Sequence, residues 1–116
     1  MSLLFPSSSH LHEDYQLISY PPGGQFTWHM DNVPSRSSNG GDRVATCLFY
    51  LTSNPPPSGT SFMHVLPDGV NQLTVEPKAG DAVVWFNRYE GEVDDRAVHR
   101  GGEAKGVKNA AQVWVH

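Results

Sequence analysis

The chain is short of cysteine, of positive charge and of long apolar or helix-periodic runs, and each shortage closes off a class of protein. Its single cysteine, Cys47, among 116 residues permits no intrachain disulfide, and its apolar neighbours make it a small core residue rather than a nucleophile. Eight Lys and Arg against twelve Asp and Glu, a formal charge of −4, provide no basic face for a phosphate backbone, so no nucleic-acid partner is expected. No apolar run is long enough to cross a bilayer, and the N-terminus lacks the basic, apolar and small-residue order of a secretory signal. The expectation is therefore no membrane association and a reducing, intracellular setting. The length suits one domain over residues 1–116, with residues 1–14 a loosely held N-terminal segment.

What the chain does have is Gly and Pro at short intervals, eleven and nine of them, separating runs rich in Val, Phe, Tyr and Leu. That punctuation argues for many short strands and little or no helix. Strands are expected at residues 15–20, 26–31, 43–51, 60–66, 72–75, 82–86, 96–100 and 110–115. Eight short strands suggest an all-β jelly roll or small barrel. The Gly- and Ser-rich stretch at residues 33–42, too long for a tight hairpin, would suit a segment covering a site.

The stretch FTWHMDN, residues 26–32, puts His29 and Asp31 two residues apart on one face of a strand, because side chains alternate. Among the other histidines, His10 and His12 lie in the polar N-terminal segment, His116 ends the chain and His64 has no assigned role. His99 ends a short strand after an acidic turn and could reach the interior from a wall opposite His29. Two histidines and one carboxylate on one face of a metal form the triad of non-haem Fe(II) oxygenases, which leaves positions open for a co-substrate and oxygen.

An anion site is the second element. Along the last strand Lys108, Ala110, Gln112 and Trp114 share a face, and in residues 43–51 Thr46, Leu48 and Tyr50 share one. An inward ammonium needs an anion, and Lys108 with Tyr50 or Thr46 would suit a carboxylate some way from the metal. The alternative from these residues alone is a solvated Lys108 within the loop EAKGVKN.

Several ordered segments resemble the prolyl-hydroxylase branch of the Fe(II) and 2-oxoglutarate-dependent dioxygenases. The resemblance runs from about Tyr15 to the end of the chain. It is carried by YPPGGQFTWHMD (Tyr20, Gly23, Phe26, His29, Asp31) and RVATCLFYL (Arg43, Thr46, Tyr50, Leu51), then by SGTSF, EPKAGDAVVWFN and HRGGEAKGVKNAAQVWV (His99, Gly106, Lys108, Trp114). It implies a double-stranded β-helix with iron on His29, Asp31 and His99. It also implies that Lys108 meets the distal carboxylate of 2-oxoglutarate, with Tyr50 or Tyr20 as hydroxyl partner and Thr46, Leu48 and Trp114 lining the pocket. Fe(II), 2-oxoglutarate and O2 follow as cofactors, with ascorbate admitted as an accessory. The implied activity is hydroxylation of a prolyl residue in a peptide or protein with conversion of 2-oxoglutarate to succinate, Arg43 and Phe26 contacting the substrate. Lys108 stands where hypoxia-inducible-factor hydroxylases carry Arg, and Phe26 where collagen-type enzymes often carry Tyr. A non-catalytic, cupin-like binding or assembly module is the alternative, and association with a second copy is left open.

Overall fold

The computed structural model describes residues 12–33, 42–66 and 69–116. Residues 34–41 of the expected covering segment and residues 1–11, with His10, lie outside the described residues, as does the side chain of His64. Ten strands are present: β1 (Gln16–Tyr20), β2 (Phe26–His29), β3 (Ala45–Tyr50), β4 (Thr60–Leu66), β5 (Gly69–Val75), β6 (Ala82–Phe86), β7 (Arg88–Tyr89), β8 (Glu92–Val93), β9 (His99–Gly101) and β10 (Lys108–Val115). Eight form two antiparallel four-stranded sheets, in the orders β1-β10-β3-β6 and β2-β9-β4-β5, and β7 with β8 makes a separate small hairpin. This is the jelly roll of a double-stranded β-helix, and every expected strand has a counterpart.

Two boundaries differ from expectation for local reasons. The strand expected at residues 96–100 is split: Asp94 accepts from the backbone N–H of Arg96 and starts a 3-10 turn, Asp95–Ala97, so β9 begins only at His99. An Asp able to cap a turn outcompetes the strand at that point. The strand expected at residues 26–31 ends at His29, after an irregularity in its pairing with β9 between Phe26 and His29. The N-terminal segment is also less loose than its composition suggests, since His12 bridges to Val115 and the Glu13 N–H donates to the Trp114 carbonyl at 2.9 Å.

β10 lies between β1 and β3 and is buried on both faces. Ala111, Val113 and Val115 face one way, Lys108 and Ala110 the other. Register places Tyr20 opposite Lys108, Tyr50 opposite Ala110, Leu48 opposite Gln112 and Thr46 opposite Trp114. The apolar core between the sheets is small: Phe62, Trp85 and Ala97 with Leu48, Val75 and Val83 packed on them. Much of the interior is instead polar, occupied by Asp31, Thr46, Thr60, His99 and Lys108. Buried polar groups at this density are retained only where they are hydrogen-bonded or serve a ligand.

Candidate metal and co-substrate site

His29 and His99 are directly opposed across the β2 and β9 ladder. This corrects the expectation that His99 comes from a wall opposite His29: the two histidines are neighbours in one sheet. Each ring is fixed by its own backbone. His29 Nδ1 pairs with the Thr27 carbonyl at 2.7 Å and His99 Nδ1 with the Ala97 carbonyl at 2.8 Å. A carbonyl can only accept, so Nδ1 carries the proton in both rings and each Nε2 presents a lone pair. Both Nε2 atoms face Asp31 Oδ1, at 3.5 and 3.6 Å. Those separations are long for hydrogen bonds and suit the edges of a coordination shell with bonds of about 2.1 Å. One ligand atom from each of the three residues falls within 4.8 Å of the others.

Thr46 completes the carboxylate's environment by donating to Asp31 Oδ2 at 2.6 Å. Thr46 in turn accepts from Asn87 Nδ2 at 3.2 Å, and Asn87 is wholly buried. Burial raises the Asp31 pKa, but His29, His99, Thr46 and the Trp114 indole outweigh it, so the carboxyl lies below its ordinary value. For His29 burial acts to lower the pKa and is outweighed by Asp31 and the Thr27 carbonyl, giving a net rise. For His99 burial prevails over the attraction of Asp31 and the pKa falls. An ionised carboxylate beside two imidazoles with inward lone pairs is a donor set that fits a divalent iron.

A single cavity of about 50 Å³ joins this cluster to the lysine, with His29, His99, Trp85, Leu48, Tyr20 and Lys108 in its walls. Lys108 is buried, and its Nζ donates to the Ser58 carbonyl at 2.6 Å. Burial lowers its pKa, opposed by the Glu76 carboxylate. The ammonium lies 5.7 Å from the Tyr20 ring centroid and 6.0 Å from that of Tyr50. Tyr50, whose hydroxyl is paired with that of Thr60, is pushed up to about 12 by burial and stays a neutral phenol. Trp85 Nε1 is buried with no hydrogen-bond partner among the described residues, a donor left over where a bound group can accept.

Of the residues expected around 2-oxoglutarate, Tyr20, Leu48 and Lys108 therefore share the cavity. Tyr50 lies beside Lys108 in an adjoining pocket with Ser58 and Gly59. Thr46 and Trp114 are placed elsewhere: Thr46 holds Asp31, and the Trp114 ring lies beneath the Arg43 guanidinium, 3.7 Å from it. Arg43, expected to contact substrate, forms a bidentate pair with Glu13, at 2.7 and 3.0 Å. Phe26 is half-exposed, its ring centroid 4.0 Å from that of His29.

Trp85 and Asn87 were not among the expected site residues. Trp85 was accessible to pattern reading: in β6 it alternates with Val84 and Phe86 and stands opposite Thr46. Its ring centroid is 4.5 Å from that of His99. Loading the site with Fe(II) is accordingly expected to quench Trp85 fluorescence more than that of Trp28. Trp85→Phe should then reduce the quench in a titration read at the indole emission, the remainder coming from Trp114, whose indole meets Asp31.

Thr46→Val keeps the shape and removes the hydroxyl that orients Asp31. Groups that orient a metal ligand contribute roughly 10–100-fold to affinity, so iron binding should weaken by about tenfold or more, as measured by competition with a chelator.

A jelly roll whose strand ends present two histidines and a carboxylate beside a lysine-bearing cavity has the donor set used by non-haem iron oxygenases. The chain belongs to the 2OG-Fe(II) oxygenase superfamily, which matches residues 15–116. Membership carries Fe(II), 2-oxoglutarate and O2 as cofactors. Within it the similarity is to prolyl hydroxylases. Prolyl 4-hydroxylase subunit alpha-2 of Caenorhabditis elegans is 31% identical over 112 residues, covering 90% of this chain and 20% of that protein. A Pseudomonas putida prolyl-4-hydroxylase structure shares 28% identity at a TM-score of 0.61, covering 92% of this chain and 54% of that one. A viral collagen prolyl hydroxylase from Paramecium Bursaria Chlorella virus-1 shares the fold, at a TM-score of 0.69 and 22% identity, over 90% of this chain and 58% of that one. The chain thus spans about a fifth of the nematode relative's length and little more than half of the two solved chains. No helix among the described residues is long and apolar enough to cross a membrane.

Proposed function

We propose that the chain hydroxylates a prolyl residue in a peptide or protein, with oxidative decarboxylation of 2-oxoglutarate to succinate. The observation that carries this reading is the one cavity holding both candidate metal histidines and the buried Lys108. Similarity to prolyl 4-hydroxylases supports the choice of substrate.

His29, Asp31 and His99 would hold iron, and iron when bound would activate O2, the oxidant that converts 2-oxoglutarate to succinate and CO2 and places its other oxygen atom in a C–H bond. The chain's own groups bind and orient. Lys108 takes the distal carboxylate of 2-oxoglutarate, exchanging or sharing its bond to the Ser58 carbonyl. The Tyr20 hydroxyl is the partner on that carboxylate, since Tyr20 faces Lys108 across the ladder and lines the same cavity. Leu48 and Trp85 form the apolar walls that keep water from the reacting end. Phe26, at the mouth beside His29, offers a ring face for the pyrrolidine of the substrate. Arg43 reaches a substrate only by sharing the carboxylate of Glu13.

The test is turnover of 2-oxoglutarate with Fe(II) and O2 against proline-containing peptides, following succinate and, by mass spectrometry, one added oxygen on the peptide. Oxygen-dependent succinate coupled to an oxygenated proline is the expected result. Succinate without any oxygenated peptide would overturn the substrate assignment, and no succinate at all would leave a binding module on this fold.

A further inference from the structure

The second sheet carries a separate polar recess on the face turned away from the metal. Because His99 points inward, Arg100 points outward, and its guanidinium lies against Trp28, 5.0 Å from the ring centroid. Arg100 makes no hydrogen bond or ion pair among the described residues, and its Nε is buried without a partner. In front of it lies a cavity of about 220 Å³ that also includes Ser61, Gln72, Thr74, Glu103 and Lys105.

Beside Arg100 the recess also leaves a hydroxyl donor over. Gln72 Nε2 donates to Ser61 Oγ at 3.1 Å and to Thr74 Oγ1 at 3.2 Å, and the two hydroxyls bond each other at 2.9 Å. That bond uses one hydroxyl proton, so the second has no acceptor among the described residues. One oxygen of Glu76, Oε2, accepts from the backbone N–H groups of Ser58 and Gly59, at 3.3 and 3.0 Å. Lys105 and Glu103 offset each other at 3.9 Å. At Arg100 and the paired hydroxyls the remainder is a guanidinium fork and a hydroxyl donor, and an unpaired cation with one buried nitrogen calls for an anion.

We propose that this recess is a second binding site, distinct from the metal centre, and that it takes a carboxylate. The planar fork of Arg100 matches a carboxylate in two-point contact, and the walls contributed by Glu76 and Glu103 make a dianion such as phosphate unfavourable. The carboxylate belongs either to a free small acid or to an acidic side chain of a bound peptide. In neither case does it touch the metal, because Arg100 and His99 occupy opposite faces of β9.

The test is a nitrogen-15 NMR titration of the Zn(II)-loaded protein, read at the Arg100 Nε–H and the backbone amides of Ser61 and Thr74. One arm uses N-acetylglycine. The other uses a blocked octapeptide with one central Asp, compared with its Asn twin. Saturable shifts at these three groups are expected, absent with the Asn peptide. Arg100→Gln should weaken binding by about tenfold or more, and Thr74→Val by about threefold. Thr74 is on β5, two strands away from β9 and not a sequence neighbour of any candidate metal ligand, so its variant decides the matter if Arg100→Gln disturbs the neighbouring His99. Tighter binding of the Asp peptide identifies a macromolecular source, and tighter N-acetylglycine a free acid. No saturable shift with either probe, equal binding of the Asn peptide, or binding unaffected by Thr74→Val and Arg100→Gln would overturn the site. The readout does not involve Lys108, so this outcome is independent of whether 2-oxoglutarate is the co-substrate.

Discussion

Asp31→Ala is expected to strip the protein of iron while leaving its β-sheet fold in place. Asp31 is the hub of the cluster: one oxygen faces both Nε2 atoms, and the other accepts from Thr46. Without it the site is two neutral imidazoles on adjacent strands. Residues that merely orient a ligand contribute 10–100-fold, so loss of a ligand itself should lower iron affinity by more than about 100-fold. The fold should survive because Asp31 follows the end of β2 and belongs to no ladder. The buried carboxylate also carries a desolvation penalty, which its removal relieves. Metal content after desalting, with circular dichroism and the urea midpoint of the metal-free proteins, checks both halves. An Asp31→Ala protein that keeps stoichiometric iron would show that the donor set has been misidentified.

Why some of this site was legible in the sequence and some was not follows from what strand periodicity encodes. Alternation tells which face a side chain occupies, so His29 with Asp31, and Lys108 with Trp114, were assignable to the interior. It does not tell depth. Lys108 and Trp114 are six residues apart on one strand, about 20 Å at 3.3 Å per residue, so one reaches the cavity shared with Tyr20 and His99 while the other lies by Asp31. Thr46 and Tyr50, four residues and about 13 Å apart, divide in the same way. Thr46 holds Asp31 and Tyr50 meets Thr60 beside Lys108.

Strand adjacency is equally invisible to periodicity. His99, ending a short strand after an acidic turn, was expected on a wall opposite His29, yet β2 and β9 are neighbours in the jelly roll. The strand expected at residues 96–100 missed the capping signal of Asp94, whose side chain diverts the chain into a turn before His99. That turn also supplies the Ala97 carbonyl that orients the His99 ring.

Lys108→Ala is expected to weaken 2-oxoglutarate binding by about thirty-fold or more and to leave iron binding nearly untouched. The lysine is buried, its pKa lowered by desolvation, and its acceptor among the described residues is the neutral Ser58 carbonyl. A carbonyl only partly satisfies three ammonium protons, so the charge is held ready for an anion entering the cavity. Truncating one member of a buried charge pair costs about 2–5 kcal/mol, much of it from leaving the other unpaired. At about 1.4 kcal/mol per tenfold, the lower end of that range already reaches roughly thirty-fold. Lys108→Arg should recover part of the loss, because a guanidinium can meet a carboxylate in a fork, but its larger head must fit beside Tyr20 and against Gly101, where an added Cβ would already come within 3.8 Å of Nζ. Lys105 is the control. It is exposed, loosely paired with Glu103 on the outer side of the sheet, and Lys105→Ala should change 2-oxoglutarate affinity little. Anaerobic titration of 2-oxoglutarate into the iron-loaded variants, followed at its metal-to-ligand charge-transfer band, measures all three. Damage from Lys105→Ala with Lys108→Ala harmless would move the anion site to the other lysine, and no effect from either would separate Lys108 from the co-substrate altogether.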